Sequence, residues 1–326
     1  MKRNRNQNEL VGIGFLCVVL AILLLFHFFF VQHNVVGQYL NQGITGTIQQ
    51  VTGSSPSQQP SGKQLAYYTN EIPEGTENPV RIQFIDIGQG LSVLIGKGDS
   101  YAIYDGGGRN TASYLVSYLK NIGVQNIRYM FASHYDEDHI GGLVGVLNTI
   151  NTENIVCPDY TAKTRIYTSF VSAAQDSLAQ VIHPALYDTF EMDGVSFQVI
   201  GPTETYEEEN NKSLVVKVSY GDFVCILTGD AEQEEESGMV RSGTDLKANI
   251  LSVGHHGSSS SSTAEFIGSV SSQLAVISCG ENNDYGHPTQ KTLDTLEKNG
   301  ASIRRTDLDG TVSIATDGSV WWLEAA

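Results

Sequence analysis

The stretch Ile127–Ser133 (IRYMFAS) has the composition of a buried strand, and it empties directly into His134-Tyr135-Asp136-Glu137-Asp138-His139. Gly141 and Gly142 follow, then a helical pattern. A chain that buries a strand only to present two imidazoles and two aspartates, His-x-Asp-x-Asp-His, within six residues builds a polar centre at that strand's end, and the spacing is that of metal ligands. His134 and Asp136, at i and i+2, can face one ion from the loop. The adjacent Asp138 and His139 point elsewhere and can face a second, with a water shared between the two. A plain helix start needs one acid as its cap, so Asp138 would serve and neither histidine would be explained.

The rest of the chain supplies more strands that end in such groups. From Val80 onward, short β-rich runs (RIQFIDI, LSVLIG, SYAIYD) give way to the helical pattern SYLVSYLKNIG, the strand above and the helix GGLVGVLNTI. The strand NIVCP, the helix IYTSFVSAAQDSLAQ and a β stretch through VSFQVIG, SLVVKVSYGDFVCILTGD and NILSVG come next. A helix near TAEFIGSV, the strand LAVISCG, the helix TQKTLDTLEKNG and a hairpin around TDGS ending in Trp321 and Trp322 complete the chain. Strand pairs come first in each half and then alternate with helices, which predicts two α/β halves packed sheet on sheet with helices outside. FVCILTG delivers Asp230, and NILSVG delivers His255-His256-Gly257-Ser258. An acid at a strand end is by itself a helix cap, whereas two adjacent imidazoles after a buried strand need partners. Tyr285-Gly286-His287-Pro288 follows LAVISCG in the same manner and, taken alone, reads as a turn.

Residues Val11–Val31 form an uncharged run of 21, long enough at about 1.5 Å per residue to span a bilayer core of roughly 30 Å. Lys2, Arg3 and Arg5 precede it and no Lys or Arg follows until Lys63. The positive-inside rule therefore puts a basic tail (1–10) in the cytoplasm, an uncleaved anchor at 11–31, and everything after it outside the cell. Residues 32–78, rich in Gly, Ser, Gln and Pro, read as a flexible tether, leaving 79–326 as the folded domain. The whole chain carries 19 Lys and Arg against 36 Asp and Glu, a net charge of −17. That acidity argues against a sequence-independent nucleic-acid clamp built on lysine and arginine. Cys17, Cys157, Cys225 and Cys279 are too scattered for a disulfide scaffold or a CxxC metal site. The apolar runs around Cys225 and Cys279 predict buried thiols.

The order of these motifs resembles that of the metallo-β-lactamase-fold hydrolases, and within them the extracellular hydrolase domain of the ComEC-type competence proteins. The resemblance runs through FIDIGQG (84–90), YDGG (104–107), SHYDEDHIGG (133–142), Asn210 with SLVVKV (213–218), LTGDAE (227–232), VGHHGSSSSS (253–262), ISCGENNDYGHP (277–288) and RTDLDGTV (305–312). It implies a four-layer αβ/βα sandwich and two divalent ions, Zn²⁺ or Mn²⁺. His134 and Asp136 are then expected on the first ion, Asp138 and His139 on the second, and Asp230 as the bridging carboxylate. One of His255 and His256 is expected as the remaining ligand, with the other hydrogen-bonded to it or to the leaving group. Asn210 and Ser213 stand where relatives have another histidine, and Asp136 stands in place of an imidazole, which hardens the site toward Mn²⁺. His287 is expected beside the metals as a proton donor, with Asp138 and His256 sharing the catalytic role. Asp86 and Asp105 are expected to orient ligands. After Gly88-Gln89-Gly90 relatives commonly have an aspartate, where this chain has Leu91.

Two ions lower the pKa of a bridging water and stabilise charge building on a phosphoryl or acyl oxygen, so no Ser or Cys nucleophile is needed. The Ser258–Ser262 run has no base at a fixed spacing and reads as a flexible rim or a cap. The expected function is that of a membrane-anchored extracellular phosphodiesterase or nuclease, with single-stranded DNA as the first candidate substrate. One span cannot form a DNA channel. The alternatives are a phosphorylcholine-type esterase acting on cell-surface polymers, and a non-catalytic surface binding module.

Overall fold

The computed structural model describes residues 65–324. The basic tail, the apolar run at 11–31 and most of the tether lie outside them. Among the described residues no helix is long and apolar enough to cross a membrane.

Two mixed sheets face each other. The first begins with β1 (Tyr67–Tyr68), β2 (Val80–Phe84), β3 (Val93–Lys97), β4 (Ser100–Tyr104), β5 (Asn126–Phe131), β6 (Asn151–Val156) and β7 (Gln180–Ile182). The second holds β8 (Thr189–Met192), β9 (Val195–Gly201), β10 (Val215–Tyr220), β11 (Phe223–Leu227), β12 (Ile250–Ser252), β13 (Leu274–Ile277) and β14 (Ser302–Arg305). The chain then returns to the first sheet as the hairpin β15 (Val312–Thr316) and β16 (Val320–Leu323), giving the order β1-β16-β15-β2-β3-β4-β5-β6-β7. In each half antiparallel pairs come first, β2 with β3 and β3 with β4, or β9 with β10 and β10 with β11. Parallel pairs follow, from β4 to β7 and from β11 to β14. This is the order expected from the alternating runs.

Why the layers form is visible residue by residue. Along β11, Phe223, Cys225 and Leu227 enter the core between the sheets, while Val224 and Ile226 face the helices of the second half. Along β3, Val93 and Ile95 point inward and Leu94 packs outward with Leu115, Ile140 and Phe170. A strand places successive side chains on opposite faces, so a strand covered on both sides must read as an unbroken apolar run. FVCIL is such a run, and Cys225, Cys279 and Cys157 are free and buried.

The tether ends earlier than its composition suggests. Ala66 is buried, its amide donates to the Asp222 carbonyl at 3.1 Å, and β1 pairs in parallel with β16. Two tyrosines in a polar stretch carry no periodic signal, and only pairing with the C-terminal hairpin makes them a strand.

Candidate metal centre

The polar groups collect where strands of both sheets end, the position at which open α/β sheets hold their ligands. Five strands contribute. The turn after β4 carries Asp105, the loop after β5 carries His134 to His139, the loop after β11 carries Asp230, a turn after β12 carries His255 and His256, and the loop after β13 carries His287. Beneath them the Tyr104 hydroxyl donates to the Leu214 carbonyl at 2.8 Å and so links the two sheets.

The HYDEDH segment turns directly into helix α2 (Glu137–Leu147), which follows α1 (Ala112–Asn121). Asp136 occupies the N-cap position and its side chain makes no capping hydrogen bond, while Asp138 lies within the first turn. Both carboxylates are thus free of the capping role that a plain helix start would give them. Instead the Asp136 Oδ2 lies 3.6 Å from His134 Nε2, and the Asp138 Oδ2 lies 3.2 Å from His256 Nε2. Two glycines let the helix seat here. A Cβ on Gly142 would come within 1.8 Å of the Gly106 carbonyl oxygen, and one on Gly90 within 2.5 Å of the Asp138 carbonyl oxygen. The Gly88–Gly90 turn therefore serves close approach of backbone to α2 as well as strand connection.

Asp230 stands at the centre. Its Oδ1 lies 3.1 Å from His139 Nε2 and 3.7 Å from His256 Nε2, and its Oδ2 lies 4.0 Å from His134 Nε2 and 3.7 Å from His255 Nε2. One carboxylate thus offers one oxygen to each of two imidazole pairs. The sequence leaves open which of His255 and His256 approaches the centre; both do, on opposite oxygens. Their backbones reach this arrangement with positive φ angles of 49° and 53°.

Each imidazole is held from behind through Nδ1. His139 Nδ1 faces Asp105 Oδ2 at 2.8 Å, and His255 Nδ1 faces Glu232 Oε1 at 3.0 Å. His256 Nδ1 faces the Ser278 carbonyl at 2.9 Å, and His134 Nδ1 lies 2.9 Å from the Ser133 hydroxyl. An oxygen acceptor on Nδ1 puts the ring proton there and leaves Nε2 as the free donor atom. The buried His134 Nε2, His139 Nε2, His256 Nε2 and Asp230 Oδ1 have no hydrogen-bond partner. Orphaned donor atoms that face one another are costly unless something else satisfies them. Within the sets His134, His139, Asp230 and Asp138, His139, His256 these atoms lie within 4.8 Å of one another, and the residues fit a divalent ion of the imidazole and carboxylate type.

The electrostatics agree. Burial pushes the Asp230 carboxyl up, but His139, His256 and His134 overcome it and hold that group well below the usual carboxylate range. Burial likewise opposes ionisation of Asp138, and His139 and His256 reverse it. In the other direction burial lowers His139 and His256, while the surrounding carboxylates raise both. For His287 the pull of Asp230 is outweighed, and burial with the nearby His255 and His256 keeps its ring below the ordinary histidine value. Its Nδ1 is buried without a partner, and its ring centroid lies 5.6 Å from that of His255.

Of the two aspartates expected to orient ligands, only Asp105 contacts an imidazole of the centre. It accepts from the Ser133 amide at 2.8 Å and the Ser133 hydroxyl at 2.7 Å besides facing His139. Asp86 instead accepts from the Gly88 amide at 3.2 Å within its own turn. Ser213 and Asn210, which stand where relatives have a histidine, lie behind the ligands. Ser213 Oγ is 3.4 Å from His134 Nδ1 and accepts from the Asp230 amide at 3.2 Å, and Asn210 Nδ2 is 3.4 Å from His255 Nδ1. Glu232 is the residue that sequence reasoning missed. In LTGDAE it looks like one more acid before an acidic helix, yet its Oε1 also accepts from the Ser260 hydroxyl at 2.8 Å.

The serine run is tied into the fold by burial and hydrogen bonds, unlike the flexible rim its composition suggests. Ser258, Ser261 and Ser262 are buried, and the Ser261 hydroxyl donates to the Gly254 carbonyl at 2.8 Å. The Ser262 and Thr263 amides donate to Glu236 at 2.5 and 2.8 Å. Helix α4 (Gln233–Ser242), after α3 (Arg165–Ser177), thus carries two buried acids. Glu235 accepts from the Thr203 amide at 3.0 Å, and burial pushes its carboxyl up to about 7 and that of Glu236 up to about 6. A carboxyl whose pKa is higher in the folded chain than in the unfolded one stabilises the fold when protonated. For Glu235 that contribution is complete below about 4.5 and lost as pH rises to about 7. Glu235→Gln cannot ionise, so relative to wild type it should gain on the order of 2 kcal/mol between pH 5 and pH 8. Urea midpoints of both proteins at the two pH values measure this, and parallel shifts would refute it.

Residues 85–281 match the family model described as the Metallo-beta-lactamase superfamily. The chain belongs to this superfamily. Competence protein ComA of Neisseria gonorrhoeae is 31% identical over 252 residues, covering 76% of this chain and 34% of its own length. ComE operon protein 3 of Bacillus subtilis is also 31% identical over 252 residues, covering 71% of this chain and 32% of itself. This superfamily member therefore spans about a third of the length of these curated relatives. Among solved structures, the metallo-beta-lactamase fold protein YhfI from Bacillus subtilis aligns with a TM-score of 0.48 at 12% identity, covering 70% of this chain and 96% of that one. The competence-protein resemblance read from the motifs is that of true relatives.

Proposed function

We propose that this superfamily member is a dinuclear metallohydrolase that cleaves phosphodiesters outside the cell, anchored by its N-terminal apolar run, with single-stranded DNA as the first substrate to test. The observation that carries the reading is the convergence of four imidazole Nε2 atoms on the two oxygens of Asp230, each ring held from behind. His134, Asp136 and His255 would hold one ion with Asp230 Oδ2, and Asp138, His139 and His256 the other with Asp230 Oδ1. Bound there, Zn²⁺ or Mn²⁺ would supply a Lewis acid for a phosphoryl oxygen and lower the pKa of water toward neutrality. The chain's own residues do the rest. Asp105 and Glu232 hold the ring protons of His139 and His255 on Nδ1, and so keep the Nε2 lone pairs aimed at the centre. His287, neutral near pH 7, offers Nδ1 to exchange a proton with the leaving oxygen.

The net charge of −17 favours a second substrate for the same chemistry, a phosphodiester such as phosphorylcholine on a cell-surface polymer, because an acidic exterior repels a long polyanion. The full chain in mild detergent, loaded with Zn²⁺ or Mn²⁺, is assayed on bis-p-nitrophenyl phosphate and on end-labelled single-stranded DNA, with Asp138→Ala as control. Cleavage of both substrates by wild type alone is the expected result. Cleavage of the small diester alone moves the substrate to the surface polymer, and bound metal with neither substrate cut refutes the phosphodiesterase reading. A chain that binds no stoichiometric metal would be a binding module.

A further inference from the structure

The loop after β13 places an aromatic ring at the mouth of the centre. Tyr285 is 69% exposed, a large value for a ring so near buried ligands. Its face stacks on His287, with centroids 5.7 Å apart and planes at 25°. His287 in turn meets His255 edge on at 5.6 Å and 78°. The three rings form a chain of contacts from the exposed Tyr285 to His255 beside Asp230. The loop that carries them is braced. The Asn283 side chain accepts from the His287 amide at 3.0 Å and donates to the His287 carbonyl at 2.6 Å and the Gly280 carbonyl at 2.9 Å. The Gly280 amide donates to Gln89 Oε1 at 3.1 Å, which ties the loop to the Gly88–Gly90 turn.

Apolar exposure alone explains nothing about a tyrosine, since single exposed rings are ordinary. Its place explains more. The ring is exposed and stacks on His287, which itself meets His255, so it lies one residue removed from the donors around Asp230. The surroundings are acidic, with Glu281 and Asp284 in the same loop and a net charge of −17 on the chain. Attraction through phosphates is therefore weak here, and a flat face is the chemistry the rim has to offer.

We infer that Tyr285 is a stacking platform for a planar ring adjacent to the scissile bond, a nucleobase of a single-stranded nucleic acid. This rests on the phosphodiester reading above and adds the part of the substrate that is recognised. Stacking on one base changes affinity about 5- to 150-fold and tolerates any sequence. Binding carried by stacking is also less sensitive to salt than binding carried by charge, because each phosphate contact adds about 0.7 to the slope of log affinity against log salt for single strands.

The test compares wild type, Tyr285→Phe and Tyr285→Ala, as full chains loaded with Mn²⁺. The substrates are a fluorescein-labelled oligothymidylate and an abasic strand of equal length and charge. Wild type should favour the base-bearing strand roughly tenfold in KM, Tyr285→Phe should keep that preference, and Tyr285→Ala should lose it at unchanged metal content and unchanged rate on the abasic strand. The salt slope of binding, followed by fluorescence anisotropy, should stay below about 2. Equal KM values for the two strands in wild type, or a preference that survives Tyr285→Ala, would overturn the inference. Failure of the underlying reading looks different: neither strand nor bis-p-nitrophenyl phosphate is cut. The anisotropy arm still decides in that event, because equal affinities for the two strands reject stacking and a Tyr285-dependent difference supports it.

Discussion

Asp230→Ala should abolish hydrolysis and leave less than one metal ion per chain, a fall in rate of at least about 10³-fold. The side chain is buried and, among the described residues, is the one group whose two oxygens face both imidazole pairs, His134 with His255 and His139 with His256. Removing it takes the shared anion from both sides at once and leaves buried imidazoles without their counter-charge. Asp230→Asn keeps the shape and one carbonyl oxygen but turns an amide group toward one pair, so it should lose one ion and keep the other. Metal analysis beside the hydrolysis assay decides the matter. Two ions retained by Asp230→Ala would remove its bridging role.

The second large effect separates the adjacent histidines. His255→Ala should release the ion shared with His134 and Asp136, and His256→Ala the ion shared with Asp138 and His139. Each should cost about one ion per chain and roughly 10²-fold or more in rate, the range seen when even an outer partner of a metal ligand is lost. The two vacated sites differ. His255 is backed by the Glu232 side chain and is partly exposed, whereas His256 is backed by a backbone carbonyl and is buried. The ion beside His255 should therefore exchange faster, which dialysis of Mn²⁺-loaded protein against Zn²⁺ measures. Loss of both ions in either variant, or of none in His255→Ala, would show that the sorting by Asp230 oxygens is wrong.

Much of this centre is legible in the chain because its polar groups are local in sequence. His134, Asp136, Asp138 and His139 sit within six residues at the end of one buried strand, and Asp230, His255 and His256 each follow a run that only a buried strand explains. The strand alternation likewise implies two sheets with helices outside, since a strand covered on both faces must be apolar at every position. Residues that act across the fold leave no such trace. Asp86 and Asp105 both end strands, and only Asp105 meets His139, because β4 lies beside β5 while the Asp86 carboxylate closes its own turn. Glu232 is indistinguishable from the acids after it until the tight turn at Gly254–Gly257 brings the His255 imidazole against it.

The sequence by itself determined the fold class and the strand ends at which the polar side chains gather, because burial and covalent spacing act on neighbours along the chain. Only the tertiary structure decided which histidine faces which oxygen of Asp230, that the serine run is tied down by Glu232 and Glu236, and that the sheet begins at Tyr67. Those outcomes depend on groups from separate strands meeting within about 3 to 4 Å, the range over which hydrogen bonds and ion pairs act. A linear pattern does not encode distances of that kind between residues from different strands.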